Sequence, residues 1–89
     1  ESASPLGGIA IYPNPITAQS VLVYDLDRAA MVKVEVLNVL GQSLRTICNE
    51  ELAAGAHVMP LHIDLPAGIY LVRISNDAVS KTIRIQNVR

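Results

Sequence analysis

The sequence predicts an all-β fold, an antiparallel β-sandwich of about seven strands. Short segments rich in valine, isoleucine, leucine and tyrosine are separated by turn residues at intervals of roughly 8–12 residues, which is typical of such sandwiches. Several segments alternate between apolar and polar residues, and none shows the 3.6-residue apolar stripe of an amphipathic helix. With 89 residues, 51% of them hydrophobic, the chain has enough apolar side chains for one domain core.

The N-terminal segment predicts a linker followed by a short first strand. Residues 1–8 are mostly serine, alanine, proline and glycine, which bury little surface, so we expect the first strand to cover residues 9–12. That strand ends at Tyr12-Pro13-Asn14-Pro15, called the YPNP motif below. Its two prolines fix φ and lack amide donors, and they hold the preceding residues extended. Taken alone, this rigid segment is explained most simply as a turn that protects a sheet edge.

Six further strands are predicted after the first. They cover residues 20–26, 31–36, 44–48, 57–65, 69–75 and 81–86. The first of the six is apolar on both faces at its start. The second alternates strictly, with Val32, Val34 and Val36 on one face and the charged residues on the other, as in a half-buried antiparallel strand. The third follows a glycine-containing turn.

The last three strands carry clear alternation. In the strand over residues 57–65 one face carries an apolar row, and Pro60 places the strand at a sheet edge because proline cannot donate to a ladder. The residues of that row are Met59, Leu61, Ile63 and Leu65. The final two strands each direct one row of apolar side chains toward the core. The residues predicted to point inward from them are Tyr70, Val72, Ile74, Ile83 and Ile85.

Turn residues agree with these boundaries. Pro66 and Gly68 occupy the second and fourth positions of a segment over residues 65–68, as a type I turn prefers. Asn76 and Asp77 tolerate positive φ and fit the hairpin before the final strand. No helix is predicted, because the short alanine-rich stretch before Gly55 lacks a helical apolar stripe.

Composition excludes several classes of function. The formal net charge is −1, so the chain offers no basic field for nucleic acid or anionic lipid, and we predict no nucleic-acid partner. The longest apolar runs fall far short of the roughly 20 residues that span a bilayer, so we predict no stable membrane insertion. A single cysteine excludes an intrachain disulfide.

The sequence does not bring together the residues that could act in catalysis or bind a metal ion. His57 and His62 are an odd number of positions apart, which places them on opposite faces of a strand. Cys48 has no neighbouring cation and is expected to be a buried, unreactive thiol. Asp25 and Asp27 share a strand face and raise a weak calcium site or a carboxylate pair as alternatives, but a solvated edge is the favoured interpretation. We therefore predict no enzyme activity, no metal and no cofactor.

Four motifs in order point to a known family. They are the YPNP motif, Leu-Gly-Gln at residues 40–42, Leu-Pro-Ala-Gly-Ile-Tyr-Leu-Val-Arg-Ile at residues 65–74, and Lys-Thr-Ile-Arg-Ile at residues 81–85. Each motif alone is weak, whereas the ordered set is specific. Over residues 9–86 the chain resembles the type IX secretion system C-terminal sorting domain (the Por secretion tail) of Bacteroidota. The resemblance implies an immunoglobulin-like β-sandwich at the end of a larger secreted precursor, with the sorting domain over residues 9–89.

The resemblance also implies a function. The precursor would pass through the periplasm, and an outer-membrane translocon would recognise its terminal domain and carry the cargo across the outer membrane. A sortase-like cysteine peptidase would then remove the domain at the cell surface, with the cut in or just upstream of residues 1–8. The cargo would end on the outer-membrane surface or in the extracellular space, and it can itself be an enzyme.

Recognition residues follow from the same resemblance, position by position. The YPNP motif would be a structural or contact element, two residues would shape the penultimate strand, and three would form the terminal signal. These residues are Tyr12, Pro13, Asn14 and Pro15; Gly68 and Tyr70; and Lys81, Thr82 and Arg84. The chain departs from the family pattern at Arg84, where a second lysine is typical, and at Gln86, where an aliphatic residue is typical.

Backbone pairing supplies a physical mechanism for recognition. A terminal strand at a sheet edge offers unpaired amide and carbonyl groups, which a translocon subunit reads by β-augmentation and a second copy reads by dimerisation. The alternative function is an adhesive or carbohydrate-binding β-sandwich of a secreted hydrolase. That function needs exposed aromatic rings, and the chain has three tyrosines and neither Trp nor Phe.

Overall fold

The computed structural model describes residues 6–17, 19–61, 63–76 and 80–88. It confirms the all-β prediction, because the described residues form seven strands and no helix. The strands are β1 (Leu6–Tyr12), β2 (Val21–Leu26), β3 (Ala30–Leu37), β4 (Ser43–Leu52), β5 (Gly55–Pro60), β6 (Gly68–Ser75) and β7 (Ser80–Asn87).

Two antiparallel sheets make the sandwich. One contains three strands in the order β1-β2-β5, and the other contains four in the order β4-β3-β6-β7. The chain crosses between the sheets after β2, after β4 and after β5, which gives the interleaved connections of immunoglobulin-like sandwiches. Pro60 closes β5 at an edge of the smaller sheet, as predicted from its missing amide donor.

The core lies between the two sheets. The valine row predicted on β3 is buried, and the inward rows of β6 and β7 are buried as well except for the half-buried Ile83. The buried cluster consists of Ile16, Leu22, Tyr24, Leu26, Val32, Val34, Val36, Cys48, Leu61, Tyr70, Val72, Ile74 and Ile85. Burial of these mostly aliphatic side chains is the main stabilising term for a domain of this size.

The burial of Glu35 contradicts the expectation that the charged face of β3 is exposed to solvent. Its carboxylate side chain is only 7% exposed, and it accepts hydrogen bonds from Arg73 (2.8 Å to Nη2) and from the Ser43 hydroxyl (3.0 Å). The Lys33 ammonium lies 3.4 Å away. Because β3 is flanked by β4 and β6, the side chains of neighbouring strands cover its outer face, and the charge is buried with partners.

Three strands, β1, β4 and β5, differ from their predicted bounds by more than one residue. β1 begins at Leu6 rather than at residue 9, because Leu6 pairs with Leu26 ahead of a register shift. Residues 6–8 of the predicted linker therefore belong to a strand, and residues 1–5 lie outside the described part. β4 is longer than predicted and reaches Leu52.

β5 is shorter than predicted and stops at Pro60 instead of continuing to residue 65. The amide of Leu61 still donates to the carbonyl of Ser20, 3.0 Å, and the chain then crosses to the larger sheet. The apolar row of this segment nevertheless packs as predicted, since Leu61 is buried and the following Ile63 and Leu65 contact the core.

Candidate recognition surface at the terminal strand

β7 forms one edge of the four-stranded sheet. Among the described strands it pairs with β6 alone, in an unbroken register from Gly68 opposite Asn87 to Ser75 opposite Ser80, and Asn87 also forms an isolated parallel bridge with Ile16. Its second edge faces away from the sheet, as the sequence predicted for a terminal strand. The YPNP motif determines how much of that edge is covered.

The YPNP motif leaves β1 in the smaller sheet and reaches the edge of β7 in the larger one. The Asn14 side chain donates from Nδ2 to the carbonyl of Arg84 (3.2 Å) and accepts at Oδ1 from the amide of Gln86 (3.1 Å). The amide of Ile16 then donates to the carbonyl of Gln86 (2.7 Å). One carboxamide thus offers a donor and an acceptor to β7, as a peptide group of a neighbouring strand would. We call residues 14–16 the clamp.

The clamp is consistent with the interpretation of the YPNP motif as a turn that protects a sheet edge. The edge that it covers belongs to β7, 70 residues away along the chain. Two of the predicted recognition regions, the YPNP motif and the terminal strand, are therefore in direct contact. Tyr12, by contrast, is 53% exposed and takes no part in these hydrogen bonds.

Ser20 fixes the clamp to the core. It is 2% exposed, its hydroxyl donates to the carbonyl of Pro13 (2.8 Å), and its Oγ accepts from the amide of Thr17 (2.8 Å). Ile16 anchors the same segment from inside the buried cluster. Sequence reasoning missed Ser20, because nothing in its local pattern distinguishes a buried serine at a strand start from an exposed one.

On its β6 side, the terminal strand contacts the corner that the chain makes just before β6. The Tyr70 hydroxyl donates to the carbonyl of Pro66, four residues upstream, at 2.6 Å, as in the tyrosine corner of immunoglobulin-like domains. Asn87 of β7 donates from Nδ2 to the carbonyls of Leu65 (2.8 Å) and Pro66 (3.4 Å). A Cβ built at Gly68 would lie 3.8 Å from the Tyr70 ring, an ordinary contact.

This arrangement differs from the predicted type I turn at residues 65–68. Among the described residues no backbone hydrogen bond closes that turn, and side chains of Tyr70 and Asn87 hold its carbonyls instead. Asn87 was missed at the sequence level, although it continues the inward row of Ile83 and Ile85. It is 4% exposed, and its amide donates to the Leu65 carbonyl and adds a second donor to the Pro66 carbonyl, which also accepts from Tyr70.

The three residues of the predicted terminal signal do not form one cluster. All three are exposed, but Thr82 and Arg84 lie in the outward row of β7, whereas Lys81 lies in the row of the inward-facing Ile83. In the described part of the chain, neither Lys81 nor Arg84 has an acidic partner within ion-pair distance. The terminal strand therefore presents one cation on each face, neither of them paired with an acidic residue of the described part.

Within the described part of the chain, the other candidate residues form no catalytic arrangement. Cys48 is buried, its thiol donates to the carbonyl of Val32 (3.8 Å), and burial raises the pKa of the thiol, as expected for an unreactive cysteine. Asp25 and Asp27 are exposed. His62, and Asp77 of the predicted hairpin turn, lie outside the described residues.

Tyr24 lies in the core beside His57. Their rings stack with centroids 5.3 Å apart, and burial, with the nearby Cys48 and Glu50, raises the pKa of Tyr24 to about 12. The Tyr24 hydroxyl has no hydrogen-bond partner among the described residues. Burial of Tyr24 and Tyr70 leaves Tyr12 as the exposed aromatic ring in the described part, which weakens the carbohydrate-binding alternative.

Two further observations concern the described residues. They contain no group of three or more histidine, cysteine, aspartate or glutamate side chains placed to hold a metal ion. They also contain no helix of the length and apolarity that crossing a membrane requires.

Fold and site together define a small β-sandwich whose distinctive feature is a clamped terminal strand. The family described as secretion system C-terminal sorting domain matches residues 10–87, nearly the whole chain. The chain belongs to this family, the sorting domain of type IX secretion. Membership implies interaction with that secretion system and export to the cell surface or the extracellular space, and the family is not itself catalytic. Among curated proteins, no match is found.

Proposed function

We propose that an outer-membrane translocon of the type IX system recognises this sorting domain at its terminal strand and the clamp. The single observation that carries the proposal is the contact between Asn14 and β7, which joins the first and last family motifs across 70 residues. A partner that recognises a sorting signal binds a single continuous surface. This contact places the YPNP motif and β7, which are distant in sequence, on one such surface. Lys81, Thr82 and Arg84 supply exposed side chains beside it.

The remaining parts of the proposed pathway concern the cargo. A larger precursor carries this domain through the periplasm, and the domain is removed at the surface by a sortase-like cysteine peptidase. Residues 1–5 precede β1 and are rich in serine, alanine and proline, a composition that suits a protease-accessible junction. The proposed cut therefore lies in or just upstream of this segment, since β1 already pairs with β2 from Leu6 onward.

A fusion experiment tests the proposal. Residues 1–89 are placed after a signal peptide and a reporter in a bacterium with type IX secretion, and reporter activity is measured in the periplasm and in the medium. We expect export for the intact domain and periplasmic retention when residues 81–89 are deleted. Because this deletion removes Ile85 from the core, point variants are needed as well.

The point variants separate recognition from folding. Lys81→Gln and Arg84→Gln together remove two exposed charges from the terminal strand, whereas Arg28→Gln removes an exposed charge between β2 and β3. We expect the double variant to lower export and the Arg28 variant to leave it unchanged, with equal thermal stability for both. A periplasmic reporter with the intact domain, or unchanged export after deletion of residues 81–89, would contradict the proposed function.

A further inference from the structure

The four sheet edges are protected to different degrees. β4 has two register shifts against β3, β5 ends in Pro60, and β1 has a register shift and leads into Pro13. Bulges and prolines of this kind prevent another strand from pairing with an edge. β7 has neither, since its sequence holds no proline and its register with β6 is continuous. The clamp is its protection.

The clamp covers only half of the β7 edge. Arg84 and Gln86 direct backbone groups outward to the clamp, so the alternating pattern of an antiparallel ladder directs those of Thr82 outward too. On the side of β7 that faces away from β6, the amide and the carbonyl of Thr82 have no hydrogen-bond partner among the described residues. The amide of Arg84 has none there either. An open half-edge therefore runs over residues 80–84 and stops at Asn14.

The charges beside this open half-edge indicate the chemistry of its occupant. Lys81 and Arg84 are exposed and have no acidic partner among the described residues, and β7 contains no acidic residue. A pairing strand places its side chains within about 5 Å of those opposite, where opposite charges stabilise the pair and like charges oppose it. A second copy of β7 would bring the same cations together, which disfavours dimerisation through this edge.

We propose that the open half-edge of β7 binds an extended acidic peptide segment by β-augmentation, with Asn14 limiting how far the segment extends. This inference rests on the proposed function and names the chemistry of the partner segment. The segment pairs with the Thr82 backbone and the Arg84 amide, and its carboxylates face Lys81 and Arg84. To pair further along the strand it must displace the Asn14 carboxamide from Gln86.

A peptide titration followed by NMR tests this inference. The probe is a capped seven-residue peptide with pairs of adjacent glutamates separated by valine, so that carboxylates lie on both faces of the extended strand. Two matched peptides carry lysine in place of glutamate or N-methyl groups at alternate residues. We expect the glutamate peptide to shift the amide signals of Thr82 and Arg84 and to slow hydrogen exchange at Thr82. The lysine and N-methyl peptides bind at least about tenfold more weakly, since each loses charge or backbone pairing.

Two variants of Thr82 provide the control. Thr82→Pro removes an outward amide without removing a hydrogen bond to β6, so it blocks the edge, whereas Thr82→Val keeps the backbone intact. We expect loss of peptide binding in the first and retention in the second. If Thr82→Pro does not fold, Lys81→Glu with Arg84→Glu serves instead and should reverse the preference toward the lysine peptide.

Several outcomes would overturn the inference. They are no binding of the glutamate peptide at millimolar concentration, equal binding by Thr82→Pro, equal binding of the lysine peptide, or a dimer through β7 in analytical ultracentrifugation. Failure of peptide binding, together with export that still depends on residues 81–89, would refute this inference and leave the proposed function standing.

Discussion

Replacing Asn14 with alanine removes the side chain that covers the edge of β7. Two hydrogen bonds are lost, one to the carbonyl of Arg84 (3.2 Å) and one from the amide of Gln86 (3.1 Å). Both lie at the surface, where each contributes about 0.5–1 kcal/mol because water competes for the same groups. We expect the free energy of unfolding to fall by about 1–2 kcal/mol and the Tm to fall by roughly 5–15 °C for a domain of this size.

Thermal unfolding followed by circular dichroism measures the change in Tm, and amide hydrogen exchange shows where it arises. In Asn14→Ala the Gln86 amide should exchange faster by more than the global loss of stability explains. Asn14→Asp is the matched control, because it keeps the acceptor for Gln86 and replaces only the donor to Arg84. The reasoning is refuted if Asn14→Ala keeps the wild-type Tm and Gln86 exchange, or if Gln86 exchanges equally fast in both variants.

Three other predictions follow from the described contacts. Glu35→Gln should lower the free energy of unfolding by about 1–2 kcal/mol in urea, since the buried carboxylate loses its charge-assisted hydrogen bond to the partly solvated Arg73. The Arg73 side chain holds the pKa of Glu35 below its ordinary value of 4.5, so wild-type stability should decline as pH falls below about 4.5; the decline should be smaller in Glu35→Gln, and equal declines would contradict this. Tyr70→Phe, which leaves the Pro66 carbonyl without its 2.6 Å donor, should lower the free energy of unfolding by about 1 kcal/mol with an unchanged m-value, and an unchanged midpoint would show that the corner does not depend on this hydroxyl. Cys48 should react with iodoacetamide at least about tenfold more slowly in the native chain than in denaturant, because burial raises its pKa and shields the thiol; equal rates would count against its buried position.

The strands were predictable because the information that specifies them is local. Alternation on β3 placed Val32, Val34 and Val36 in the core, and the same period placed the inward row of β6, since side chains two apart share one face of a strand. Pro60 identified an edge strand because a missing amide donor is excluded from a central ladder wherever it occurs. Each conclusion needed only a few neighbouring residues.

The candidate site was predictable only in part. The family resemblance selected Asn14, Tyr70 and the terminal strand, but local patterns gave each of them a separate role. The structure joins Asn14 to β7 and joins Tyr70 and Asn87 to the carbonyls of the corner before β6. Sequence spacing carries no sign of such contacts.

By itself, the sequence determined an all-β sandwich of about seven strands, an aliphatic core, an edge strand at Pro60 and an edge at the terminal strand. The tertiary structure decided which edges are covered, that Glu35 is buried and pairs with the partly exposed Arg73, and that the edge covered by the YPNP motif is that of β7. The physical reason is the separation along the chain over which each kind of information acts. Hydrophobic periodicity acts over a few residues, whereas the pairing of segments 70 residues apart depends on how two sheets cross and pack.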